Sequence, residues 1–437
     1  MAASSSLRSA AVHDRPDQAD LDKCVHCGLC LNVCPTYRVL GLEMDSPRGR
    51  IYQINQIANG EALTASHVQH LDLCLACRAC ETACPSGVPY GRIIESARAA
   101  IQAQERPGIW KRLTRKLIFE HLLSSPVGLQ LAGACLYLYR ATGLQSIVRY
   151  SGILKPFGRL SDLEALSPTA EVPFFYRAIG KTFPASGEQR YHVAFLAGCI
   201  ANVAFARLNE ATVRVLQENG CQVTIPADQT CCGALHLHSG MSDYARKLAR
   251  INIEAFANSG YDAILTNAAG CGSTLKEYGH LLRDDPAFGE KARDFSARMK
   301  DVNEFLASIE LNRQMAPLPY TVTYQDSCHL AHGQKIKEAP RKLLKSIPGL
   351  SFREMPMADL CCGSAGIYNV VQNKMAMRIL EGKMKYIETT KAEVIATANP
   401  GCMLQLAAGA RLLSNGQRVV HVIELLDEAY EKYSAAG

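Results

Sequence analysis

Apolar residues recur along this chain with two different periods. In the first third the spacing is helical: Ile51, Ile54, Ile57 and Ala58 share one face behind Asp45-Ser46-Pro47-Arg48-Gly49-Arg50, as an amphipathic helix requires. Residues 109–150 read as helices rich in Leu, Ile and Tyr. Within them, Ile109–Ile118 sets an apolar stripe beside four bases, Lys111, Arg112, Arg115 and Lys116. Two readings fit that stretch. It could lie on a membrane surface, or, as base rates favour, it is an ordinary amphipathic helix packed on its own protein. The longest apolar run, Pro126 to Tyr139 interrupted by Gln130, is shorter than the roughly 20 residues of a membrane span. Residues 150–190 are richer in Pro, Ser and Gly and read as a linker.

From Tyr191 onward the pattern alternates between short apolar strands and helices, and does so twice. Strands are expected at 192–196, 222–225 and 263–266, then again at 321–324, 351–354 and 392–396, each followed by a helical stretch. Such alternation builds parallel sheets covered by helices. The cysteines keep the same rhythm. Cys199, Cys231-Cys232-Gly233 and Cys271 are matched by Cys328, Cys361-Cys362-Gly363 and Cys402 at a nearly constant offset, the mark of an internal duplication. The fold class expected is multidomain α+β: an N-terminal α-helical ferredoxin-like domain, then two α/β Cys-Cys-Gly repeats with parallel sheets. The expected boundaries are a disordered N-terminus at 1–20, the helical domain at 21–105, a helical connector and linker at 106–190, and repeats at 191–313 and 314–437.

Composition adds the chemistry. Eighteen cysteines in 437 residues is high. The stretch Met1–Asp22 has no apolar signal region, so reduced thiols serving metal or redox chemistry are expected rather than disulfides. Cys24, Cys27, Cys30, Cys34-Pro35 and Cys74, Cys77, Cys80, Cys84-Pro85 each spell C-x2-C-x2-C-x3-C-P. That run holds [4Fe–4S] cubanes in bacterial two-cluster ferredoxins, and its fourth cysteine serves the other cluster. The pairing is therefore crossed: Cys24, Cys27, Cys30 and Cys84 for one cluster, Cys74, Cys77, Cys80 and Cys34 for the second. Pro35 and Pro85 end each run and keep a helix from starting early. Zinc favours pairs of C-x-x-C instead. The formal charge of +6 counts the thiols as neutral, and no nucleic-acid signature accompanies it. No G-x-G-x-x-G follows a strand, so neither flavin nor NAD is expected on this chain.

The repeat cysteines Cys199, Cys231, Cys232, Cys271, Cys328, Cys361, Cys362 and Cys402 leave three readings open. They form a third metal site, within one repeat or across both; they run a thiol–disulfide reaction at the vicinal pairs; or they only pack. All fall after strands or on loops, at the carboxyl edge where open α/β sheets bind ligands. His329 and His332 read as local hydrogen-bonding groups, and Cys135 and Cys221 as buried filler.

Taken together, the two cluster motifs, Met44-Asp45-Ser46-Pro47-Arg48-Gly49-Arg50-Ile51, Thr230-Cys231-Cys232-Gly233-Ala234-Leu235-His236 and Gln325-Asp326-Ser327-Cys328-His329 make the chain resemble glycolate oxidase iron–sulfur subunits from about Leu21 to Tyr430. Lactate-utilisation, anaerobic glycerol-3-phosphate dehydrogenase and heterodisulfide reductase B subunits share the plan more loosely. The last carries C-x-x-C at the end of each repeat, where this chain has Ala268 and Asn399. The resemblance implies an electron-transfer subunit with no substrate chemistry of its own. Its partners would be an FAD-containing glycolate oxidase subunit and a second flavin-type subunit, and its acceptor a membrane quinone or another carrier. It also implies a cytoplasmic location, with a peripheral place on the inner face of the membrane allowed. The alternatives are an iron–sulfur subunit of a lactate or glycerol-3-phosphate dehydrogenase, a heterodisulfide-reductase-like thiol–disulfide enzyme, and a scaffold whose metals are structural.

Overall fold

The computed structural model describes residues 14–104, 108–258, 260–413 and 416–436. Most of the stretch expected to be disordered, residues 1–13, lies outside these. Its remainder is ordered: Asp14 pairs with Arg246 at 3.1 Å, and a helical turn spans Gln18–Leu21. The basic partner from the first repeat fixes a segment whose own composition carries no structural signal.

The N-terminal third is helical. The helix Pro47–Ala58 starts where Ser46 Oγ accepts the amide of Gly49 at 3.0 Å, with Pro47 in the first turn. It buries Ile51, Ile54 and Ile57 against Leu71, Ile93, Ile94 and Ala97. Arg50 on the same helix is 1% exposed. Its guanidinium donates to His70 O (2.7 Å), Thr36 Oγ1 (3.1 Å) and Asp45 Oδ1 (3.3 Å). A buried charge is tolerated only when paired and bonded in this way. Pro35 does not hold a helix off. It opens Pro35–Leu40, because its missing N–H is an orphan there in any case.

Two sheets follow. Strands β1 (Thr182–Phe183), β2 (Tyr191–Phe195), β3 (Cys221–Thr224), β4 (Ala263–Thr266) and β5 (Met299–Asp301) lie in the order β1-β3-β2-β4-β5. Strands β6 (Thr321–Tyr324), β7 (Ser351–Arg353), β8 (Val394–Thr397) and β9 (Arg418–His421) lie in the order β7-β6-β8-β9. Dropping β1 makes the two orders equivalent, as duplication demands. The second sheet is parallel throughout; the first is mixed, because β1 pairs antiparallel with β3. The end of the expected linker thus joins the first repeat, with Phe175 2% exposed in its core. One apolar cluster runs through both sheets, including Val193, Val223, Leu265, Val322, Val394 and Ile423. Cys221 is buried as expected, whereas Cys135 is exposed.

β9 ends on His421, fully buried, whose Nδ1 accepts the amide of Ile423 at 3.2 Å. Burial pulls its pKa down to about 4. As pH falls, the unfolded chain protonates this imidazole first, near 6.5, so stability is lost between pH 6.5 and 4. The contribution is about 3 kcal/mol. The slope of stability against pH in that window, measured by urea titration, is expected to flatten in His421→Asn.

Candidate metal centres

The two ligand loops bend alike. His26 (φ 53°) and Gly28 (φ 86°) in the first match Ala76 (φ 51°) and Arg78 (φ 63°) in the second. Left-handed backbone costs a non-glycine residue about 1–2 kcal/mol. The same strained curl at the same two steps of both motifs turns the cysteines of each loop inward. Cys24, Cys27, Cys30 and Cys84 line one cavity, and Cys34, Cys74, Cys77 and Cys80 line another. Pro47, Cys80 and Tyr90 line both, so they form the wall between them.

Several polar groups hold these loops. Arg48 pairs with Glu43 at 2.7 Å and donates to His26 O at 3.0 Å, tying down the first loop. Arg50, Asp45 and Thr36 brace Cys34, whose Sγ lies 3.3 Å from Thr36 Oγ1. The amide of Ala76 donates to Cys74 Sγ at 3.3 Å, and Tyr90 OH to the same sulfur at 3.6 Å. Burial pushes the Cys30 thiol up to about 11 and the Cys77 and Cys80 thiols well up, so a metal must displace their protons to bind. Among the described residues no three Cys, His, Asp or Glu side chains close to the spacing of a single ion. Four thiols lining one cavity are the donor set of a [4Fe–4S] group, and each of the two cavities offers it.

The repeat cysteines gather into two separate sets, one at the carboxyl edge of each sheet. In the first, Cys199 bonds Cys231, Cys231 meets Cys232, and Cys232 meets Cys271. In the second, Cys328, Cys361, Cys362 and Cys402 follow the same order. The hydrogen bond to Cys231, then burial, pushes the Cys199 thiol well up; Cys328 does the same for Cys361, and Cys362 for Cys402. Asn399, where the heterodisulfide pattern has a cysteine, donates to Cys402 Sγ at 3.4 Å and accepts the Gly270 amide at 3.3 Å. His332 bonds Thr82 Oγ1 at 3.0 Å and Asp359 O at 2.9 Å, and His329 Nδ1 lies 3.6 Å from Cys328 Sγ.

The two sets have different surroundings. Around the first, neutral groups hold the Cys-Cys-Gly loop: Asn252 donates to Cys231 O (3.1 Å) and Tyr278 to Cys232 O (2.8 Å). Beside the second lies Lys383, 2% exposed, donating to Met357 O (3.0 Å) and Ala358 O (2.7 Å). Burial draws its pKa down to about 8, with the Cys362 and Cys361 sulfurs pulling the other way. The second set also packs directly on the N-terminal centres: Leu75, Cys77, Cys328, Cys361 and Tyr368 form one buried cluster. Tyr368 OH donates to Leu73 O at 3.0 Å. The first repeat grips the same domain through Arg78–Glu277 at 2.7 Å and Arg98 to His238 O at 3.0 Å. Lys383 and Tyr90 carried no sequence signal, since a lone Lys or Tyr in a helix reads as surface or core.

Comparison with known proteins places these sites in context. Residues 20–88 match a 4Fe-4S dicluster domain, and 193–276 and 322–407 each match a cysteine-rich domain. Residues 110–167 match the linker region of the glycolate oxidase iron–sulfur subunit. The chain is 43% identical to a probable glycolate oxidase iron–sulfur subunit of Bacillus subtilis, across 95% of both chains. It is 33% identical to the glycolate oxidase iron–sulfur subunit of Escherichia coli, across 94% of this chain and 95% of that one. Lactate utilization protein A of Oceanobacillus iheyensis is 31% identical across 54% of this chain and 96% of its own. A solved structure of a hypothetical protein from Helicobacter pylori shares the fold at a TM-score of 0.55 and 9% identity, over 97% of this chain and 74% of that one.

Proposed function

The chain belongs to the glycolate oxidase iron–sulfur subunit family, and from that membership we propose that it relays electrons from a flavin subunit to a quinone or other acceptor. Glycolate becomes glyoxylate on the FAD-containing partner, releasing two electrons and two protons, and a second flavin-type subunit completes the complex. Bound at the two N-terminal sites, [4Fe–4S] clusters would supply the one-electron redox chemistry. Cys24, Cys27, Cys30 and Cys84 would hold one; Cys74, Cys77, Cys80 and Cys34 the other. The observation that carries this reading is the shared wall between the two four-thiol sites, formed by Pro47, Cys80 and Tyr90. Arg48 and Arg50 fix the loops so that neither site can drift from the other.

The second repeat's set is the better candidate for a third cluster. It touches Cys77, and it faces Lys383, whose buried ammonium favours an anionic thiolate-ligated group nearby. Anaerobically purified protein is expected to hold about twelve irons, from three four-iron clusters. Cys362→Ser should remove about four of them, and Cys232→Ser none, by the asymmetry of their surroundings. A count near eight in fully loaded wild type, unmoved by Cys362→Ser, would leave the relay with its two N-terminal sites and remove the third. Isolation of the complex with bound flavin on a partner chain supports the relay as a whole; a chain that oxidises glycolate alone overturns it.

A further inference from the structure

The apolar stripe of the connector is not packed on its own protein. The helix Ile109–Lys116 exposes Trp110 (78%), Leu113 and Leu117 lies just beyond it, also exposed. After a 96° bend, the helix Pro126–Ala141 exposes Leu131 and Leu138, and Leu144–Ser151 exposes Ile147. No single helix here is long and apolar enough to cross a membrane. The opposite side is anchored firmly. Gly133 lies so close to the first repeat that a Cβ there would stand 2.2 Å from Val203 Cγ1 and 2.9 Å from Phe174. Phe119, buried, meets the His236 ring edge-on at 5.4 Å.

The charge of this segment identifies what covers it. Residues 108–160 carry eight Lys and Arg against one acidic residue, Glu120. That local excess of seven exceeds the +6 of the entire chain, so the rest of the protein is close to neutral. Arg112 and Lys116 stand exposed among the apolar positions, while Arg115 turns back to Ser239 O at 3.1 Å. A protein partner would have to offer an acidic face lined with apolar groups along the whole segment. A basic amphipathic helix with an exposed Trp, continued after the bend by a largely apolar helix, is instead what an anionic lipid surface binds.

We infer that helices within residues 109–160 dock this protein flat on a membrane leaflet rich in anionic phospholipid. The inference goes beyond the relay and does not depend on it, because lipid binding needs neither glycolate nor electron flow. Trp110 is the only tryptophan of the chain, so its fluorescence reports the contact without labelling. With full-length, cluster-loaded protein, vesicles of phosphatidylglycerol and phosphatidylethanolamine should shift Trp110 emission to the blue and sediment the protein. Brominated lipid should quench it, and neutral phosphatidylcholine vesicles should do neither. Arg112→Gln with Lys116→Gln should weaken binding roughly thirtyfold, and high salt should weaken it in the wild type. Leu113→Glu with Leu117→Glu should weaken it roughly a hundredfold at unchanged iron content. Wild type that ignores phosphatidylglycerol vesicles, or binding that survives the leucine substitutions, would overturn the inference. So would leucine variants that bind vesicles normally but no longer assemble with the flavin subunit, since the surface would then belong to that partner.

Discussion

Replacing Cys34 with serine is expected to empty the site formed with Cys74, Cys77 and Cys80 and to spare the site formed with Cys24, Cys27 and Cys30. In sequence Cys34 belongs to the first motif; in space it lines the second cavity. Its Sγ is held there by Thr36 and by Asp45 O at 3.7 Å, and Arg50 pins both residues. The backbone stays in place when the sulfur goes, since Cys34 caps the helix Pro35–Leu40 through main-chain bonds alone. A hydroxyl is a harder donor than a thiolate and holds iron–sulfur centres poorly. The expected loss is about four irons, read by iron analysis, with Mössbauer or EPR spectra showing which site remains. Loss of the site that contains Cys24 instead would reject the crossed pairing.

Much of this arrangement is legible in the sequence because the chemistry is local. The C-x2-C-x2-C spacing dictates a tight loop, and the curl at His26, Gly28, Ala76 and Arg78 is its direct outcome. The duplicated strands were legible from the repeated strand–helix alternation, and most plainly at β4 and β8, which are buried at every position from Ala263 to Thr266 and from Val394 to Thr397. What escaped was whatever depends on a distant neighbour. β5 and β9 lie outside the strands expected, and each pairs along the edge that β4 or β8 offers. β1 lies in a stretch with linker composition and is a strand only because β3 pairs with it. The connector went the other way. Periodicity there announces an amphipathic helix, and the usual partner of such a helix is the protein's own core. Pattern alone does not say whether that partner is present. The stretch Asp45–Arg50 was visible only as a helix opening and as part of the family resemblance, whereas its structure explains each position: Ser46 caps, Gly49 passes Glu43 O at a distance that leaves no room for a Cβ, and Arg48 and Arg50 reach the two cysteine sites.

In the assembled complex, Cys77→Ala is expected to stop acceptor reduction while leaving glycolate oxidation at the flavin intact. Cys77 stands where two centres meet: it lines the second N-terminal cavity and packs against Cys328 and Cys361. Burial there is complete enough that no solvent or alternative side chain can take over its bond, with Cys77 only 8% exposed. Removing one of four ligands that act as a unit should lower steady-state turnover by roughly two orders of magnitude or more. In the proposed relay hydride leaves glycolate on the partner chain, so the single-turnover rate of flavin reduction should stay within about twofold of wild type. Stopped-flow absorbance separates the two half-reactions, and size-exclusion chromatography confirms that the complex still assembles. Thr82→Ala is the control: it removes the hydrogen bond to His332 at the same domain contact without touching a ligand, and should leave turnover nearly unchanged. If Cys77→Ala abolished flavin reduction in an intact complex, or if both half-reactions ran at wild-type rates, the route through this chain would be wrong.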